Sequence, residues 1–151
     1  MTCFLVAACS AVEQPSELKH RKFVGINRGC ADNSAAWVTS MTILLVSPEE
    51  FVGQCIEVHG YFDSGINIQL FLTKDHAHIL DYASSIMLVD QTKNGELFNS
   101  SCTDHYVSVI GKVAIFEQRI IVRDIHLVEK FSSEERFKSN VCFDSSNVEL
   151  L

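Results

Sequence analysis

From Gln54 to Phe62 apolar and polar residues alternate with a period of two. Ile56, Val58, Gly60 and Phe62 fall on one face, and Cys55, Glu57, His59 and Tyr61 on the other. The preceding stretch, Ser47 to Gly53, reads as one turn of helix. Ser47 is the cap, Pro48 suits the first turn, Glu49 and Glu50 sit near the positive end, and Gly53 ends it. This change of period marks the entry to a β domain. Four further strands follow, over about Ile66–Leu72, Ser85–Asp90, His105–Ile115 and Arg119–Val128. In the second, Ile66, Ile68, Leu70 and Leu72 share a face opposite Asn67, Gln69 and Phe71; in the fourth, Val107, Val109, Gly111 and Val113 are aligned. Asp63-Ser64-Gly65 is a turn, Thr73–Ser84 a loop or short helix, and Gln91–Ser101, with Asn94-Gly95, a polar connection. Glycines within the first and fourth strands mark bends that let a sheet curl. Upstream, Trp37–Val46 fits two patterns: its Val, Thr and Ile content favours strand, while the spacing of Val38, Met41 and Leu45 allows helix.

Five strands with a short helix among them predict a mainly β fold, a small five-stranded OB-like barrel with one or two short helices. The expected organisation places this barrel at residues 34–129, after a polar tether at 9–33 and before a polar tail at 130–151. The length of 151 residues agrees with one domain, and 47% hydrophobic with 21% charged residues is enough apolar material for a core. The net charge of −7 and scattered basic residues weigh against a nucleic-acid backbone as partner, because neutralising phosphates takes clustered Lys and Arg. The run Lys19-His20-Arg21-Lys22 reads as a solvated part of the tether.

The pattern Pro48-Glu49-x-Phe51-x-Gly53-x-x-Ile56-x-Val58-x-Gly60-Tyr61 is followed by Leu70-Phe71-Leu72, Ile86-Met87-Leu88-Val89-Asp90 and Tyr106-Val107-x-Val109-x-Gly111. Together they resemble a group of small bacterial proteins with OB-like barrels, many of them exported. The resemblance spans residues 40–129 and its motifs are structural, so it implies a fold and carries no activity, cofactor or catalytic residue. Leu5-Val6-Ala7-Ala8-Cys9 is similar to the lipobox of bacterial lipoproteins: small side chains admit the signal peptidase, and the Cys9 thiol takes the lipid. That implies a signal peptide at residues 1–8 and a lipid-anchored protein facing the periplasm. No Lys or Arg precedes the stretch, which a start codon further upstream would explain. The alternative is a cytoplasmic protein. Without Cys3 and Cys9 four cysteines remain, Cys30, Cys55, Cys102 and Cys142; an oxidising periplasm allows two disulfides in any of three pairings.

Sequence signals for chemistry are sparse. There is no G-x-S-x-G elbow, no phosphate-binding loop and no dinucleotide fingerprint, which leads to an expectation of no enzyme and no cofactor. Asp75-His76-Ala77-His78 with Asp81 could hold zinc or copper, but lacks a visible third and fourth ligand and reads as polar surface; no metal is expected. On the outward faces of the first two strands Tyr61 and Phe71 could stack on a ring, with Asn67 and Gln69 giving polar contacts; the competing reading packs the two rings under Trp37–Val46 or the tail. OB barrels bind extended ligands on this side. The nearest charge is Glu57, so the expected partner is an envelope protein, a peptide or a glycan. Its competitor is a cytosolic single-strand nucleic-acid binder, for which interleaved Lys or Arg would be needed.

Overall fold

The computed structural model describes residues 29–130 and 140–150. Cys9, the lipobox and most of the expected tether lie outside them. The elements are β1 (Trp37–Thr39), α1 (Met41–Val46), β2 (Cys55–Asp63), β3 (Gln69–Phe71), α2 (Lys74–His78), β4 (Ser85–Leu88), β5 (His105–Phe116), β6 (Arg119–Lys130) and β7 (Asn140–Asp144). Short 3-10 turns occur at Pro48–Phe51, Tyr82–Ser84 and Ser145–Asn147. The protein is mainly β: β2, β3, β4, β6 and β5 follow one another round a closed five-stranded OB-like barrel, and β5 returns to β2. The β4–β6 pairing is parallel and the other four are antiparallel.

Trp37–Val46 is both of the things its sequence allowed. β1 pairs in parallel with Ile56–Val58, and Ser40 then stops the strand by capping α1, its hydroxyl accepting from Ile43 N at 3.2 Å. Pro48 opens the following 3-10 turn as expected, but Ser47 gives it no side-chain cap. Gly53 ends it at φ 77°, a left-handed conformation that costs glycine little.

The alternation in β2 is realised as read. Ile56, Val58 and Phe62 are fully buried in the barrel with Leu70, Ile86, Val107, Val109, Val122 and Val128. Each such side chain contributes roughly 1.5–3 kcal/mol by leaving water. Gly60 is required by proximity rather than by φ: a Cβ there would lie 2.7 Å from the Phe71 carbonyl oxygen and 2.7 Å from Leu70 Cγ. The carbonyl belongs to the β3 ladder and cannot withdraw. Gly60→Ala is therefore expected to destabilise by about 1–3 kcal/mol, read as a lower urea midpoint at constant m; an unchanged midpoint would contradict this packing.

Two short strands complete the barrel wall. One edge of β2 carries β3 at residues 61–63 and β1 at 56–58; one edge of β6 carries β4 at 121–122 and β7 at 127–130. Each added strand thus covers backbone that a neighbour has left unpaired. Each is also stapled, Cys30 to Cys55 beside β1 and Cys102 to Cys142 on β7, with Cα atoms 5.9 and 5.8 Å apart. Residues after Lys130 are therefore not only a polar tail. β7 escapes a sequence reading because Phe143 is the one buried side chain in its five residues, too few for a period to show.

Candidate functional site

The outer face of the barrel is where the expected binding residues lie, but α2 covers most of them. Tyr61 and Phe71 are opposite one another in the β2–β3 pair and point away from the core. Both are buried, at 4% and 0% exposure, in a small cluster with Ala77 of α2. Tyr61 meets the Tyr106 ring edge-on at 5.3 Å, and the Tyr106 hydroxyl accepts from Lys74 N at 3.1 Å, which fastens the start of α2 to β5. Burial pushes the Tyr61 phenol above its usual pKa, with the Asp104 and Asp63 carboxylates adding to the shift. These two rings belong to a minor core of their own and are not an open stacking platform. Asn67 is exposed in the bend between β2 and β3, apart from them.

The His-x-His motif is also absorbed by α2. Thr73 caps this helix, its hydroxyl 3.4 Å from His76 N and 2.6 Å from His76 Nδ1, while His76 Nε2 lies 3.9 Å from Asp81. His78 is exposed, and no group of three metal-ligating residues occurs among the described residues. On β2 the Glu57 carboxylate is buried. It accepts from Ser108 Oγ at 2.9 Å and lies 3.3 Å from His59 Nε2.

Gln69 belongs to a different place. In the β3–β4 register it is opposite Met87, and Phe71 is opposite Ser85, so these four share the outer face. Gln69, Ser85 and Met87 line a cleft of about 390 Å³, within the usual range of small-ligand sites. Tyr82 and Ala83 form one wall; Gln118, Arg119 and Ile120, at the β5–β6 turn, form another. Ser85 Oγ lies 3.0 Å from Gln69 Oε1 and 3.0 Å from the Tyr82 carbonyl, which ties the floor to the wall. Gln69 itself is buried, at 4% exposure, and with its oxygen so used only the NH2 at the cleft floor remains to donate. Tyr82 is 44% exposed, with its ring 6.0 Å from that of Phe71. Arg119 is the one charged residue of the lining and has no ion pair among the described residues.

Backbone strain borders this cleft on both sides. Leu80 (φ 54°), Glu117 (φ 48°) and Gln118 (φ 63°) are left-handed without being glycine. Leu80 ends α2, where Asp81 N bonds the His76 carbonyl at 2.9 Å and Leu80 N bonds that of Ala77 at 3.0 Å, a pattern that normally takes glycine. Glu117 and Gln118 occupy the two-residue hairpin turn usually made by Asn-Gly. Such conformations cost on the order of 1–3 kcal/mol each and concentrate at functional sites.

Sequence reasoning found Gln69 and missed Tyr82, Met87, Gln118 and Arg119. Met87 alternates with the buried Ile86 and Leu88, so its outward direction was readable. The others come from turns whose meeting depends on barrel closure. No protein-family model, no curated protein and no solved structure matches this chain.

Proposed function

We propose that this chain is a non-enzymatic binding domain of the bacterial envelope, anchored through a lipid on Cys9, that takes an extended peptide or glycan in the cleft between β3, β4 and the β5–β6 turn. The observation that carries the reading is the cleft itself, which lies where OB barrels seat extended ligands and has left-handed backbone at Gln118 in its lining. The Arg119 guanidinium receives a carboxylate of the ligand, the Tyr82 ring stacks on a sugar or planar side chain, and the Gln69 NH2 donates to a carbonyl or hydroxyl. Two disulfides in a domain of this size support an oxidising compartment. They weigh against the cytosolic nucleic-acid alternative, as do the single cation that the described residues give the cleft and the net charge of −7.

Soluble peptidoglycan fragments carry sugars, peptide and carboxylates together and are a suitable probe. Titration followed by amide chemical shifts is expected to move Met87, Gln118 and Arg119. Arg119→Ala is expected to weaken binding about tenfold, the loss of one charge-assisted contact, with the melting temperature unchanged. Shifts confined to other surfaces would refute the site. Salt-sensitive retention on a thymidine oligonucleotide would instead favour the nucleic-acid reading.

A further inference from the structure

A second concavity lies beyond the C-terminal end of β4, and none of the chemistry above uses it. Its volume is about 200 Å³. Val89, Leu97, Ile125, Phe143 and Leu150 make its floor apolar. A dry apolar cavity of about 150 Å³ is enough to hold a benzene ring. It is too small for an extended polymer.

The polar residues lie around this floor and are unbalanced in charge. Among the described residues, Asp32, Asp90 and Asp124 face a single cation, Lys112. Lys112 Nζ lies 2.7 Å from Asp32 Oδ2, so that pair cancels itself. Asp90 accepts from Thr92 N at 2.9 Å, from Thr92 Oγ1 at 2.6 Å and from Phe98 N at 2.9 Å, all neutral donors that leave its negative charge in place. Asp124 has Arg123 Nε at 4.0 Å, an exposed pair that screens it weakly. The fold places Asp124 deliberately. The β5–β6 register jumps from Ile110↔Leu127 to Lys112↔Arg123, so residues 124–126 bulge opposite Gly111, and Asp124 stands at φ 48°. Bulges of this kind re-aim a side chain. Here the bulge brings Asp124 and Ile125 to the same pocket, one as charge and one as floor.

We infer that this pocket is a separate site for a small amphipathic cation: a body the size of one ring or branched side chain, bearing a protonated amine. The body enters the apolar floor and the amine stays among Asp90 and Asp124. Anions of the same shape are refused by the same two carboxylates.

Phenethylamine and phenylacetate, similar in body and opposite in charge, test this on the oxidised full chain. With phenethylamine, amide shifts are expected at Val89, Leu97, Ile125 and Phe143, saturating in the millimolar range usual for a ligand of this size; phenylacetate should bind at least tenfold more weakly. Asp124→Asn keeps a residue that tolerates positive φ, and should reduce the preference for the amine several-fold while the melting temperature holds. Absence of shifts at the floor with either probe, equal affinity for both, shifts at Met87 and Tyr82 instead, or a preference unchanged by Asp124→Asn would overturn the assignment.

Discussion

Replacing Cys102 and Cys142 together by alanine is expected to lower the unfolding free energy by about 4 kcal/mol. Their sequence separation is 40 residues, and opening a loop of that length returns about 3.9 kcal/mol of chain entropy to the unfolded state. The other staple closes a separation of 25, worth about 3.5 kcal/mol in the same terms. Against the usual total of about 5–15 kcal/mol for a domain, either loss is severe. The melting temperature should fall by on the order of 10 °C for each. The effects are also local in a way that entropy alone does not require. β7 buries only Phe143 fully in the core, with Cys142 packed beside it, so without its staple it should leave β6, exposing the backbone of Leu127–Lys130 to amide exchange. Loss of Cys30–Cys55 should instead expose the β1 partners Ile56–Val58. Melting that does not respond to reductant would contradict both, and would remove the support that the disulfides give to an oxidising compartment.

The same contrast between long and short segments explains what could be read from the sequence. β2, β5 and β6 run for 9, 12 and 12 residues, long enough for alternation to declare itself, and their limits were readable to within two residues. β1 and β7, of 3 and 5 residues, exist because an edge of β2 and an edge of β6 are left open by the barrel strands. That condition is set far away in the chain. The cysteine pairing follows from it: Cys142 reaches Cys102 only once β7 has docked, which no spacing reveals. Trp37–Val46 resisted assignment because one polar residue, Ser40, divides a strand from a helix.

At the candidate site the sequence told direction and allowed for cover, but placed the cover on Trp37–Val46 or the tail rather than on α2. Tyr61 and Phe71 do point outward; their burial depends on a five-residue helix whose only buried side chain is Ala77. This makes Phe71→Ala the sharper test of which aromatic residues bind and which support. Phe71 has no exposed surface and touches both the Tyr61 cluster and the Tyr82 ring. Truncating it should cost about 3–5 kcal/mol, the transfer term plus a cavity that α2 is too short to fill. Tyr82→Ala, at a ring already 44% in solvent, should cost well under 1 kcal/mol. Binding of peptidoglycan fragments should show the reverse order. At a temperature where both variants are folded, Phe71→Ala should retain measurable affinity, weakened only as far as Tyr82 shifts on its lost support, whereas Tyr82→Ala should lose tenfold or more. If Phe71→Ala instead abolished binding at unchanged stability, α2 would have to lift and expose the two rings to ligand, and the open cleft beside it would not be the site.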